Sequence, residues 1–230
     1  MAHRRRVTPS VVFEYKATVA AVALPHLDIP GHEPSGLGNP QHPMRIMTRR
    51  AAGLHPGGWD EAARREVAAF FDALAHEWHT RDSPHRRAVV ADALDRGDGH
   101  GGLAIEVGSG TGIYTAQLAE RFSPVVAAEV SIEMLLLAPP EAGPRVLADA
   151  SVLPVADSTV DAVVLINAFL FPAEVDRVLA PGGSVVWVNS SGGETPIHLT
   201  TAEVVAALPG AWTGVESSAG AGTWCVLRRR

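Results

Sequence analysis

Three closely spaced glycines form the stretch of this 230-residue chain whose composition is most suggestive of chemistry. Gly108, Gly110 and Gly112 follow a short apolar run at 103–107 and precede a segment with helical periodicity. A strand, a glycine turn and a helix in this order form the nucleotide crevice of an open α/β sheet. Glycine is needed where the backbone turns tightly and approaches a ligand, and the helix start contributes free N–H groups.

Two isolated acids follow the next two predicted strands. Glu129 ends the second strand, where a carboxylate can accept hydrogen bonds from both hydroxyls of a ribose. Asp149 follows the third strand. A carboxylate there can accept a hydrogen bond from the amino group of an adenine, while the Ala150 amide donates one to a ring nitrogen. Each acid alone is better explained as a cap or turn residue. Together, at successive strand ends, they predict an adenosine-binding crevice.

A dinucleotide site is one alternative reading of the glycine turn. The dinucleotide fingerprint is G-x-G-x-x-G, and its third glycine would fall at Ile113. A branched side chain there weakens the case for NAD or FAD. The position of Glu129 fits either cofactor class and does not discriminate between them.

The spacing E-x-G-x-G-x-G, from Glu106 to Gly112, resembles motif I of the class I S-adenosylmethionine-dependent methyltransferases. The segments 127–138, 145–168 and 174–188 are similar to that family's ribose segment, its adenine loop with the fourth strand, and the turn before its fifth strand. The resemblance covers roughly residues 102–190. It looks closest to small-molecule methyltransferases of the ubiquinone/menaquinone-biosynthesis type.

The resemblance implies an α/β, Rossmann-like class I methyltransferase fold. The sheet would be seven-stranded and mostly parallel, with helices on both faces and an N-terminal helical extension. It also implies S-adenosylmethionine as the cofactor and methyl transfer to a small molecule. The cofactor-binding residues would be Glu106, Gly108, Ser109, Gly110, Gly112, Glu129, Val130, Met134, Asp149, Ala150 and Asn167.

The composition narrows the classes of partner. A net charge of −6 and a pI near 5.9 argue against a general nucleic-acid surface. Cys225 is the single cysteine, so neither a disulfide framework nor a cysteine metal site is expected. No metal site is expected at the scattered histidines. Without a recognisable signal peptide or an apolar run long enough for a membrane span, the expected location is cytoplasmic. A homodimer is left open.

The chain is predicted to divide into an extension, lid and helices at 1–100 and a cofactor-binding domain at 101–230. Residues 7–24 mix helical and strand signals, and the proline- and glycine-rich residues 25–43 predict a loop or mobile lid. A helix is predicted from Asp60 to His79, followed by another that begins at Ser83. Arg81, between these helices, is predicted to meet the methionine carboxylate of the cofactor.

The apolar loop 167–171 predicts a largely apolar or aromatic acceptor. This loop and the segment 189–199 are shorter than in the resembled family, so the extension is predicted to wall the acceptor. His198 is the best sequence candidate for a base, with Tyr15 and His85 more distant. Two other functions stay open: a cofactor-binding regulatory or partner protein without catalysis, and a nicotinamide-dependent oxidoreductase.

Overall fold

The sheet at the centre of the molecule is made from short, mostly apolar strands. The computed structural model describes residues 21–33, 36–140 and 143–230. Within them, eight strands pair in the order β1-β7-β8-β6-β5-β2-β3-β4. In chain order, the strands are β1 Ala21–Ala23, β2 Ala104–Val107, β3 Val125–Glu129, β4 Arg145–Leu147, β5 Val160–Ile166, β6 Leu179–Asn189, β7 Trp212–Ala219 and β8 Gly222–Arg229.

Seven α-helices connect or cover these strands. They are α1 Pro43–Ala51, α2 Glu61–Leu74, α3 Pro84–Arg96, α4 Thr115–Leu118, α5 Ile132–Leu137, α6 Pro172–Val178 and α7 Thr201–Ala207. A 3-10 helix, Ala75–Arg81, continues α2 directly. The Asp60 side chain caps α2 and the Ser83 side chain caps α3, as predicted from the residue types at these positions.

The core has two faces because side chains along a strand alternate between them. In β5, Val163 and Leu165 join the cluster that packs under α6 and α7, whereas Val164 and Ile166 join the cluster that includes α3. β5 is buried except at Asp161, as a central parallel strand should be. A third cluster joins α1 and α2 to the loop after β5. Helices therefore cover both faces, and the extension covers the end of the sheet.

The predicted fold class is confirmed, with one strand more than the seven expected. The additional strand is β1, which pairs in parallel with Gly214 to Glu216 of β7 at the sheet edge. β8 runs antiparallel to both β6 and β7, and the remaining pairs are parallel. The first strand thus comes from the segment at 7–24 whose signals were mixed. The rest of that segment lies outside the described residues.

Candidate active site

A cavity opens at the carboxyl ends of five neighbouring parallel strands. Its volume is about 390 Å³. Residues that follow β2, β3, β4, β5 and β6 line it together. β2 lies between β3 and β5, so the strand order reverses here, which is where open α/β sheets bind ligands. Of the predicted cofactor residues, the cavity wall includes Arg81, Gly108, Ser109, Gly110, Glu129, Val130, Met134, Asp149, Ala150 and Asn167.

The glycine turn after β2 forms one wall, and backbone geometry explains its residue types. Gly108 and Gly110 have φ values of +65° and +57°, which side-chain-bearing residues rarely adopt. A Cβ at Gly110 would lie 2.6 Å from Nε1 of Trp78, and one at Gly108 would lie 2.9 Å from Cβ of Ala168. Side chains at these two positions would therefore collide with the opposite wall.

Glu129 is buried at the end of β3 and anchors the glycine turn. Its carboxylate accepts backbone N–H bonds from Gly110 at 2.8 Å, Val130 at 2.8 Å and Ser131 at 2.9 Å. Burial raises the pKa of this carboxyl, and the three N–H bonds oppose that rise. A carboxylate offers about four acceptor positions, so the three bonds leave about one for a ligand.

Glu106 and Gly112 are not on the cavity wall. Glu106 is 2% exposed within β2, and its carboxyl accepts a hydrogen bond from Oγ1 of Thr115 at 2.5 Å. Burial, opposed by the Thr115 hydrogen bond and assisted by the neighbouring Glu129 charge, raises the pKa of Glu106 to about 7. Glu106 therefore links the strand to the first residue of α4 beneath the turn. Glu106 supports the glycine turn from below, and its carboxyl does not face the cavity where a ligand would bind.

Asp149 contacts a residue from the extension. Nε1 of Trp59 donates to both Asp149 carboxylate oxygens, at 3.2 and 3.1 Å, and the Ser151 amide donates to Oδ1 at 2.8 Å. The Trp59 ring packs edge-on against Phe171, with the ring centroids 4.9 Å apart, and lies 5.8 Å from Phe169. The acid predicted to read adenine is therefore tied to an aromatic cluster.

Asn167 fixes the loop after β5 to the loop after β6. It has a φ of +52°, its Nδ2 donates to Oγ of Ser190 at 2.9 Å, and its Oδ1 accepts the Ser190 amide at 2.9 Å. Tyr114, which is buried, lines the cavity together with Ser190. Burial raises the pKa of Tyr114, so this phenol stays protonated and can donate a hydrogen bond at neutral pH.

Aromatic and aliphatic side chains from the extension form the opposite wall. Phe70 packs edge-on against Phe71, and Phe71 packs edge-on against Trp78. Phe70 and Leu74 of α2 also line the cavity, and α2 packs against α5. The wall from the extension consists of His42, Met44, Trp59, Val67, Phe70, Phe71, Leu74, Trp78, Arg81 and Arg86.

Two cations lie at the glycine end of this wall. Arg81 ends the 3-10 helix, with its guanidinium carbon 4.6 Å from the centre of the Trp78 ring. Arg86, one turn into α3, donates to the Arg81 carbonyl at 3.1 Å. Both arginines line the cavity near Gly110 and Trp78. An anionic group of a ligand over the glycine turn would be attracted to this end.

The two candidate bases that the structure describes, His198 and His85, are not on the cavity wall. His198 is not a surface loop residue: it is 7% exposed and lines a smaller pocket with Trp187 and Trp224. Burial lowers its pKa and the nearby Arg45 lowers it further, so it is neutral at pH 7. His85 stacks on His32 outside the cavity wall. Tyr15 lies outside the described residues, so none of the three is placed at the cavity.

Sequence reasoning missed several polar residues of the wall, among them Trp59, Tyr114 and His42. Trp59 directly precedes the N-cap of α2, where an apolar residue usually packs on the fourth helical residue. That position is Arg64, so the missing local partner is a signal that Trp59 packs elsewhere. Nδ1 of His42 accepts the Met44 amide at 3.2 Å, so a neutral ring carries its proton on Nε2. Proline favours the first position of a helix, so Pro43 is a sequence signal that a helix begins directly after His42.

The described chain offers no cluster of three or more His, Cys, Asp or Glu side chains that could hold a metal ion. Among the same residues, every helix is too short or too polar to cross a membrane. The acidic and arginine side chains on the main cavity's wall are Arg81, Arg86, Glu129, Asp149 and Glu194.

Known proteins resemble the part of the chain that builds this cavity. A family model described as a methyltransferase domain matches residues 105–187. A demethylmenaquinone methyltransferase of Mycobacterium sp. (strain KMS) is 33% identical over 136 residues, which are 53% of this chain and 58% of that protein. One of Corynebacterium kroppenstedtii is 30% identical over 165 residues, 65% of this chain and 71% of that protein.

A solved structure supports the same fold. The structure of DhpI in complex with SAH has a TM-score of 0.58 and 22% identity, and the match covers 72% of this chain and 96% of that one. The chain spans little more than half the length of the mycobacterial relative. The match to the methyltransferase domain, at residues 105–187, includes the strands and turns at the cavity.

Proposed function

Because this chain belongs to the class I S-adenosylmethionine-dependent methyltransferases, we propose that it transfers the methyl group of S-adenosylmethionine to a small, largely apolar or aromatic acceptor. The observation that carries the proposal is one continuous cavity. The glycine turn, two acids at successive strand ends, two arginines and an aromatic wall all line it.

In this proposal the cofactor lies along the strand ends. Asp149 accepts the adenine amino group, Ala150 contributes its amide, and Val130 and Met134 flank the ring. Each of these four residues is on the cavity wall. Glu129 receives the ribose through its remaining acceptor position.

The glycine turn receives the methionine part of the cofactor. A Cβ at Gly108 or Gly110 would fill the space of the cavity beside the turn, so glycine keeps that space open for a ligand. Arg81 and Arg86 supply positive charge for the methionine carboxylate of the cofactor. Glu106, in contrast, is assigned to supporting the turn through Thr115. The residues present therefore fit the cofactor.

The acceptor is assigned to the side walled by the extension and the loops after β5 and β6. Phe169, Phe171, Met44 and Ile197 belong to one apolar cluster there. When bound, the cofactor supplies an activated methyl group, and this chain orients the two reactants and excludes water. Tyr114 and His42 can donate hydrogen bonds to an oxygen or nitrogen of the acceptor.

Calorimetry with S-adenosylhomocysteine tests the cofactor site. Asp149→Ala should weaken binding by at least about tenfold, because a hydrogen bond to a charged group contributes about 1.5–3 kcal/mol. Asp157→Ala is the matched control, since Asp157 is an exposed acid of the same loop that pairs with Arg177. Equal affinity of both variants and the wild type would remove Asp149 from the site. Binding of NAD in place of S-adenosylhomocysteine would favour the oxidoreductase alternative.

Turnover tests the reaction and the class of acceptor. Formation of S-adenosylhomocysteine should be detected with small aromatic or aliphatic acceptors and should be absent with nucleic acid or protein acceptors. Phe169→Ser should raise KM for such an acceptor while S-adenosylhomocysteine affinity stays unchanged, since Phe169 is in the acceptor-side cluster. Cofactor binding without turnover across a broad panel would favour the non-catalytic alternative.

A further inference from the structure

Trp59 donates a hydrogen bond to the Asp149 carboxylate, the group that the adenine of the cofactor would also need. Its indole N–H lies across both oxygens of Asp149, at 3.2 and 3.1 Å, while the Ser151 amide already occupies another position on Oδ1. A bond shared by both oxygens covers the side of the carboxylate between them. Trp59 and Asp149 both line the cavity, so the contact lies at the wall where a ligand arrives.

The chain around Trp59 can let this side chain move. Residues 53–58 are exposed, and Gly53, Gly57 and Gly58 have φ values of +71°, +113° and +58°. A Cβ at Gly58 would meet no atom within 4 Å. On the other side, Asp60 caps α2, so the helix has a fixed start immediately after Trp59. The tryptophan therefore sits at the junction of an exposed glycine-rich turn and an anchored helix.

We propose that Trp59 is a latch that holds Asp149 in the free protein and is displaced from it by the adenine of the cofactor. This inference rests on the proposed function. The indole N–H and the adenine amino group are both donors, and they compete for the same carboxylate face. Binding of the cofactor must then break the indole bond, which lowers the affinity of the wild type for it.

The latch also connects the cofactor side to the acceptor side. The Trp59 ring packs against Phe169 and Phe171, which belong to the apolar cluster of the acceptor wall. Release of the indole from Asp149 therefore frees the aromatic wall to repack around an acceptor. In this arrangement one residue of the extension responds to the cofactor and shapes the acceptor pocket.

A double-mutant cycle measured by calorimetry with S-adenosylhomocysteine tests the latch. Trp59→Phe keeps an aromatic ring and removes only the N–H donor, so it should tighten binding by about tenfold, the fold-change expected when a hydrogen bond to a charged group no longer has to be broken. Asp149→Asn removes the charge that the indole N–H holds. In that background, Trp59→Phe should change the affinity by less than about twofold, because its effect depends on the interaction with the Asp149 charge, which is already removed.

A second measurement follows the side chain directly. The protein contains five tryptophans, and in 5-fluorotryptophan-labelled protein the resonance absent from Trp59→Phe is that of Trp59. This resonance should shift when S-adenosylhomocysteine saturates the wild type. Binding with an unmoved resonance, or a weaker affinity of Trp59→Phe in both backgrounds, would show that Trp59 stays in place as a wall of the adenine site and would overturn the latch alone. No binding of S-adenosylhomocysteine to the wild type would overturn the proposed function together with it.

Discussion

Glu106 should make the stability of this protein fall as the pH rises. Its carboxyl is buried beneath the glycine turn, and burial raises its pKa from 4.5 to about 7. Between these values the folded protein holds a proton on Glu106 that the unfolded chain has lost. The free energy of unfolding therefore decreases with increasing pH across this window.

The expected size follows from the pKa difference. One pKa unit corresponds to about 1.4 kcal/mol, so the full window corresponds to a loss of about 3 kcal/mol of stability. The loss starts near pH 4.5, where the unfolded carboxyl ionises, and is complete above about pH 7, where the folded carboxyl ionises too. Glu106→Gln removes this proton from both states and keeps an oxygen that can accept the Thr115 hydroxyl.

Urea denaturation of the wild type and Glu106→Gln at pH 4.5 and pH 8 measures the effect. The variant should gain about 3 kcal/mol relative to the wild type between the two pH values. Glu120→Gln, at an exposed glutamate just beyond α4, should follow the wild type at both. If the wild type and Glu106→Gln have parallel pH profiles, Glu106 ionises normally in the folded protein and the argument from burial fails.

Four further substitutions test the glycine positions and the core. Gly182→Ala should lower the free energy of unfolding by about 1–2 kcal/mol, because residue 182 has a left-handed backbone conformation. A Cβ there meets open space, so no collision adds to this cost. Gly110→Ala should lower it further and weaken S-adenosylhomocysteine binding in calorimetry, because its Cβ would lie 2.6 Å from an indole nitrogen. Asp92→Ala should lower the free energy of unfolding by about 1–3 kcal/mol in urea denaturation, because it leaves the buried indole N–H of Trp224 without its acceptor. Asp95→Ala, at an exposed ion pair, should lose less than about 1 kcal/mol.

The sheet and its glycine turn could be predicted because their signals are local. The apolar run at β5 and the proline-glycine turn before the last part of β6 define their elements without reference to the rest of the chain. The positive φ at Gly108 and Gly110 explains why glycine occurs there. These features come from backbone preferences and strand burial, which a single sequence displays directly.

The contacts of the extension could not be predicted because they join residues far apart in the chain. Arg45 reads as one of several basic residues in α1, yet it is 7% exposed. Its guanidinium donates to the carbonyls of Gly193 and Thr195, about 150 residues away. Similarly, the edge strand Ala21–Ala23 is only three residues long, and its pairing with β7 is decided by the sheet that receives it. The division at residue 100 stays a prediction.

The segment after β6 is short, and the extension contacts it from above the cavity. The segment that follows β6 forms one turn of 3-10 helix, Gly192–Glu194, and is too short to cover the cavity by itself. Arg45 supplies hydrogen bonds to two of its carbonyls and so holds α1 over the cavity's acceptor side. Trp59, from the same extension, reaches Asp149 on the cofactor side. Under the proposed function, a change in the extension alters cofactor affinity and acceptor choice together, because one stretch of chain contacts both Asp149 and the loop after β6.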